Sequence, residues 1–137
     1  MAEASRPAFC AIVSDAAFAT LLDAGLDRVA HRIGIGDTGR WLGRPAAYAG
    51  LGYVRVRHGL NLLDAAPGTA IGRIRAPVLL IHGDADRNTP LYHALALAQA
   101  QPAATLWIVP GAAHTASWQA APQAYPRRIV AFFRDRR

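Results

Sequence analysis

The 137-residue sequence predicts an α/β fold built on a parallel sheet. Pro77-Val78-Leu79-Leu80-Ile81 and Thr105-Leu106-Trp107-Ile108-Val109 are short, continuous apolar runs, as expected of strands buried on both faces. Between them Leu91, Ala94, Leu95 and Ala98 form a helical stripe. After them Tyr125, Ile129, Phe132 and Phe133 form another. Strand, helix, strand, helix, with crossovers of suitable length, is the signature of parallel pairing.

The remaining elements follow from period and punctuation. Phe9-Cys10-Ala11-Ile12-Val13-Ser14 is too short for a helix and predicts a further buried strand ending at Asp15. From Phe18 the apolar positions change to helical spacing (Phe18, Leu21, Leu22, Val29, Ile33), with Asp15 as the expected cap and Gly34 to Gly39 as the stop. Trp41 to Ala66 reads as irregular and mostly helical, broken by Gly and Pro, although Tyr53-Val54-Arg55-Val56-Arg57 alternates like a strand. A polar loop, Gly83 to Pro90, leaves the Pro77 strand, and Pro110-Gly111 ends the Thr105 strand. Pro122 and Pro126 stand near the start of the last helix, where a missing N–H costs least.

Length and composition fit one globular domain. The net charge is +6, and all fifteen basic residues are arginine, beside thirty alanines, a usage that reflects genome composition. The arginines are scattered (Arg28, Arg40, Arg55, Arg73, Arg87), with one cluster from Arg127 to Arg137. No nucleic-acid module accompanies the charge, so a solvated surface is expected and no nucleic-acid partner. The longest apolar stretches, such as Ala76 to Ile81, run about six residues, so no membrane-spanning helix is expected. Glu3 and Arg6 precede a short apolar run that Ser14 and Asp15 interrupt, which is no secretory signal. A single cysteine, Cys10, excludes an internal disulfide framework and points to a reducing, cytoplasmic compartment.

Three motif matches fail on context. Gly34-Ile35-Gly36-Asp37-Thr38-Gly39 spells the dinucleotide fingerprint, but a helix precedes it where a strand is required, so a loop closing that helix explains the glycines. Asp84-x-Asp86-x-Asn88 opens like a calcium loop, yet Thr89 stands where glycine must turn and Leu95 where glutamate must chelate. His82, Asp84 and Asp86 would share one face if the strand continued, without a metal-binding partner motif. No cofactor and no metal is expected.

The productive pairing joins two loops. His82-Gly83-Asp84-Ala85-Asp86 leaves one buried strand and Gly111-Ala112-Ala113-His114 leaves the next. In a parallel sheet both lie at the carboxyl edge, where ligands bind. An acid followed by a histidine on neighbouring strand ends holds an imidazole in the tautomer of a general base. The alternative gives Asp86 the cap of the helix starting near Pro90 and makes His114 an ordinary loop histidine. Spacing does not separate the two.

From Phe9 onward the sequence resembles the C-terminal part of α/β-hydrolases, in particular the prolyl-oligopeptidase-like and dienelactone-hydrolase-like branches. The resemblance rests on Val13-Ser14-Asp15-Ala16-Ala17-Phe18, Pro67…Ile71…Ile74…Pro77-Val78-Leu79-Leu80-Ile81-His82-Gly83-Asp84-Ala85-Asp86…Pro90, Gly111-Ala112-Ala113-His114 and Pro122…Tyr125…Arg128…Phe132-Phe133. It implies a partial α/β-hydrolase fold: the last three parallel strands, flanking helices and a lid-like helical segment over residues 35–75. It also implies Asp86 as triad acid, His114 as triad base, and His82, Gly83 and Asp84 as loop-shaping positions. Thr89 stands where the family usually has a hydrophobic residue. Ala113 stands where it often has glycine, which would strain the loop if that position needed positive φ.

The family places its serine in a G-x-S-x-G elbow ahead of the acid. None of Ser5, Ser14, Ser117 or Cys10 has such flanks. Residues 1–137 are therefore expected to be the C-terminal part of a hydrolase domain without the nucleophile half. Such a chain would carry acid and base for ester, thioester or peptide hydrolysis and be inactive alone. A non-catalytic α/β binding module is the alternative. In the family Trp41, Tyr48, Tyr53 and Leu60 fall in the pocket-shaping segment, where they serve either a hydrophobic substrate group or the core. The Phe9 to Ser14 strand, preceded by Pro7, is expected to offer an unpaired edge to a second copy or to the missing half.

Overall fold

The computed structural model describes residues 9–135. The expectations placed on Glu3, Ser5, Arg6 and Pro7, and the last two arginines of the C-terminal cluster, lie outside these residues.

Three parallel strands, β1 (Ile12–Asp15), β2 (Val78–Gly83) and β3 (Thr105–Val109), lie in that order, as the α/β reading requires. Register pairs Ile12 with Val78 and Leu79 with Thr105. β1 begins later than its apolar run, at the residue whose N–H bonds Pro77 O at 2.9 Å. Phe9 and Cys10 have no strand beside them, because β2 starts only after Pro77.

β2 is buried throughout, and its alternate side chains feed two cores. Leu79 and Ile81 join Trp107, Val109, Ala112 and Phe132, beneath α5 (Ser117–Ala120) and α6 (Ala124–Arg134). Val78 and Leu80 join Ala19, Ile71 and Leu97, beneath α3 (Pro67–Ile71) and α4 (Tyr92–Ala100). Helices thus cover both faces, as a continuous apolar central strand demands.

The segment between β1 and β2 holds α1 (Leu21–Ile33), α2 (Gly36–His58), a 3₁₀ turn at Leu62–Asp64 and α3. Two expectations are corrected here. Asp15 does not cap α1. It still belongs to β1, and Thr20 caps instead, its Oγ1 accepting from Asp23 N–H at 3.1 Å. Asp15 accepts hydrogen bonds from Ser117 Oγ (2.9 Å) and Tyr125 OH (3.0 Å), tying the end of β1 to α5 and α6.

The stretch from Trp41 is mostly helical, as expected, but residues 41–58 are unbroken. They belong to a single 23-residue helix that passes through Pro45. The proline forgoes one backbone bond to the preceding turn, but Ala46, Ala47 and Ala49 restore strong helix propensity immediately after it. The alternating Tyr53–Arg57 stretch has no strand to pair with and remains helical until Gly59, whose φ of 70° ends α2. Gly34, with φ 73°, likewise closes α1, so the G-x-G-x-x-G match follows a helix and not a strand.

Candidate active site

The carboxyl ends of β2 and β3 are stitched together by backbone. Asp84 N–H donates to Val109 O (3.3 Å) and Ala85 N–H to Ala112 O (3.1 Å). The Asp84 carboxylate accepts from Gly111 N–H at 2.6 Å. Gly83 makes the approach possible, because a Cβ there would collide with Ala112 O. The left-handed residues of the second loop are Gly111 (φ 71°) and Thr115 (φ 57°), so Ala113 carries none of the strain its side chain would bring.

Within this frame Asp86 and His114 meet. The imidazole Nδ1–H donates to Asp86 Oδ2 at 2.8 Å. The carboxylate is fully buried and the imidazole side chain 24% exposed. Asp86 Oδ1 accepts from the backbone N–H groups of Asn88 and Thr89, both at 2.9 Å. Thr89 Oγ1 donates to Oδ2 at 3.0 Å and also lies 2.8 Å from His114 Nδ1. His82 Nε2–H donates to Thr89 O at 2.7 Å and stands 3.6 Å from Asp86 Oδ2. Burial alone would raise the Asp86 pKa. The hydrogen bonds from Thr89 N–H, His114 and the Thr89 hydroxyl outweigh it and hold the carboxyl below its ordinary value.

Asp86 does not cap α4. Its bonds close the turn over Asn88 and Thr89, and α4 begins at Tyr92 without a side-chain cap. Of the three residues weighed for a metal, His82 bonds a carbonyl, Asp84 a backbone N–H, and Asp86 faces His114. Among the described residues no group of three or more histidine, cysteine, aspartate or glutamate side chains is arranged to hold a metal ion.

Thr89 apart, no serine or cysteine among the described residues hydrogen-bonds His114. Ser117 is buried and donates to Asp15. Ser14 faces the opposite core, beside Ile12, Ala17 and Leu80. Cys10 is exposed ahead of β1, at the amino edge of the sheet.

A second polar network was not legible in the sequence. His93 is fully buried. Its Nδ1 accepts from Ala19 N–H (3.1 Å) and its Nε2–H donates to Asp27 Oδ2 (2.9 Å). Tyr92 OH donates to the same oxygen. Arg40 Nε forms an ion pair with Asp27 Oδ1 at 2.8 Å, and Arg40 also donates to Tyr92 OH at 2.9 Å. The network fastens α1 and α2 to α4, directly after the Asp86 loop. Burial pushes the His93 pKa down despite the Asp27 hydrogen bond, which keeps the ring neutral.

Trp41, Tyr48, Tyr53 and Leu60 are at least half exposed and belong to no core. None of the four lines the apolar hollow of about 510 Å3 between α1 and α2, whose walls include Leu21, Leu22, Leu26, Val29, Leu51 and Val54.

The sequence model of the TAP-like proteins, an α/β-hydrolase family, matches residues 64–137, just over half of the chain and all of the Asp86 and His114 region. The chain belongs to this family. Solved structures share the α/β-hydrolase fold with this chain. An esterase of Pyrococcus furiosus, Pf2001, superposes with a TM-score of 0.61 at 18% identity, over 93% of this chain and 45% of the esterase. Rv0554 of Mycobacterium tuberculosis gives 0.57 at 21% identity, over 93% and 57%. A candidate non-heme bromoperoxidase of the same organism, BpoC, gives 0.56 at 20% identity, over 93% and 59%. The chain spans about half the length of these structures. No curated protein matches the sequence significantly.

Proposed function

We propose that this TAP-like chain supplies the acid and base of a serine-hydrolase triad that cleaves ester, thioester or peptide bonds, the serine coming from outside residues 9–135. The observation that carries this reading is the 2.8 Å bond between His114 Nδ1 and a fully buried Asp86 carboxylate at the carboxyl edge of a parallel sheet. A proton fixed on Nδ1 leaves Nε2 to take up the serine proton during attack and return it to the leaving group. Asp86 stays ionised because four hydrogen bonds favour its charged form, and it stabilises the imidazolium as it forms. His82, Thr89 and Asp84 are positioning residues: they hold the two loops and touch no reacting atom.

On the same reading residues 35–75, which hold α2 and α3, are the lid-like segment, and the apolar hollow between α1 and α2 takes a hydrophobic part of the substrate. The outer edge of β1 is where a serine-bearing strand, or a second copy, would pair. The single cysteine favours a reducing, cytoplasmic setting. No helix among the described residues is long and apolar enough to cross a membrane.

The test compares the chain alone with the chain co-expressed with a serine-bearing segment of the same family, on p-nitrophenyl acetate. The chain alone should give only trace turnover, and the pair a saturable rate that His114→Ala lowers by several orders of magnitude. A saturable rate from the chain alone that His114→Ala abolishes would overturn the missing-serine reading. A reconstituted rate indifferent to His114→Ala would overturn the assignment of the base.

A further inference from the structure

Arg28, His31 and Arg32 on α1 and Asn88 from the Asp86 loop converge on one cavity of about 530 Å3. Arg28 and Arg32 are four residues apart and so share one face of the helix, a like-charge spacing that disfavours an isolated helix. The side chains of Arg28, His31 and Arg32 make no ion pair or hydrogen bond among the described residues. The neighbouring arginines on α2 behave differently. Arg40 is bound to Asp27 and Tyr92, and Arg44 to Asp23 at 3.0 Å. The acidic side chains of α1 are thus committed elsewhere, and the cavity keeps its positive charge.

Basic residues in a last helical turn favour the helix dipole, which accounts for His31 and Arg32. It does not account for Arg28, which stands a turn earlier, nor for the convergence with Asn88 from a different element. The Asn88 backbone N–H bonds Asp86 Oδ1, so this wall of the cavity is fixed to the carboxylate that faces His114.

We infer that Arg28, His31, Arg32 and Asn88 bind an anionic group, carboxylate or phosphate, carried by the molecule that enters beside the Asp86 loop. Two guanidinium forks match such oxygens in geometry as well as charge, and the Asn88 amide adds a neutral donor. Resting on the hydrolase reading, this makes the substrate an acidic ester, thioester or peptide. The net charge of +6 favours its approach.

The test is calorimetric or chemical-shift titration of the intact chain with inorganic phosphate, with succinate and with the neutral dimethyl ester of succinate, at fixed ionic strength. The site requires saturable binding of at least one anion and none of the diester. Arg28→Gln with Arg32→Gln should weaken binding about tenfold or more. Both side chains are exposed and unpaired, so the variant should fold, which circular dichroism checks. Arg55→Gln with Arg57→Gln removes the same charge from an exposed part of α2 and should leave binding within about twofold. Tighter binding of phosphate assigns a phosphorylated ligand, tighter binding of succinate a carboxylated one. Absence of saturation, or equal weakening in both double variants, overturns the site. Because the readout needs no turnover, a failed hydrolase assay would not remove the site.

Discussion

Thr89 Oγ1 lies 2.8 Å from His114 Nδ1 and 3.0 Å from Asp86 Oδ2, so one buried hydroxyl touches both members of the acid–base pair. It donates to the carboxylate and offers a lone pair to the shared Nδ1–H. A position where the family resemblance leads one to expect an apolar side chain is here part of the hydrogen-bond network.

Thr89→Val keeps the shape and removes both side-chain bonds. It should raise the Asp86 pKa toward its ordinary value, because a bond to the charged form is lost. Stability should fall by about 1 kcal/mol. Thr89→Ser should restore both. Carbon-13 titration of the Asp86 carboxyl reads the first effect and urea unfolding the second; no change in the titration would reduce Thr89 to a filler of space.

Asp84 and Asp86 are separated by one residue and do different work. Asp84 bonds the Gly111 backbone and Asp86 bonds the imidazole. In a reconstituted enzyme Asp86→Asn should lower kcat about 10⁴-fold by losing the tautomer that leaves Nε2 free. Asp84→Asn should cost far less, through loosened loops. Equal losses would mean that the wrong carboxylate was assigned to the triad.

The strands, the loops that bring Asp86 and His114 together and the order of elements are legible because short apolar runs and their polar exits are local signals. Thr89 is not, since its role depends on His114 arriving from twenty-five residues away. His93 is silent for the same reason: its partners, Ala19 and Asp27, lie 74 and 66 residues earlier. The continuity of α2 is hidden in the sequence because Pro45 and the glycines are local breakers, whereas the alanines around them and packing on α1 sustain the helix. Asp15 reads as a cap in sequence, but β1 runs one residue past its apolar run, and Thr20 is left next to the helix.

Gly83→Ala tests the junction of the two loops. Its new methyl would press on Ala112 O, and the two strand ends would have to part. A loss of about 1–3 kcal/mol is expected from such overpacking, with turnover of the reconstituted enzyme falling further than stability alone explains. Thermal unfolding together with kcat would show it. A variant with unchanged stability and rate would show that the loops do not depend on this contact.

His93 gives stability a definite pH dependence. Its folded-state pKa is depressed, so the unfolded chain takes up a proton that the folded chain refuses. Its contribution is therefore complete above the ordinary histidine pKa and declines as pH falls below about 6.5. His93→Gln retains an acceptor for Ala19 and a donor for Asp27 without titrating, so its stability should vary less between pH 7 and about 5. Chemical denaturation across that window is the measurement. Parallel curves for the two proteins would place the titration elsewhere.

β1 is bonded to β2 along one side only, at the edge of the three-stranded sheet. In parallel pairing alternate residues serve the neighbour. Ile12 and Ala16 donate toward the β2 side, to Pro77 O and Ile81 O, which leaves Val13 and Asp15 directing their N–H groups outward. No lysine, proline or bulge protects this edge within the strand. The chain should therefore self-associate with rising concentration, as light scattering on a sizing column would show. Val13→Pro removes one outward donor without touching the β1–β2 ladder, and should shift the population toward monomer. β3 forms the opposite edge, so self-association that survives Val13→Pro would move the contact away from β1. A chain that stays monomeric at every concentration would show that the edge is protected in solution.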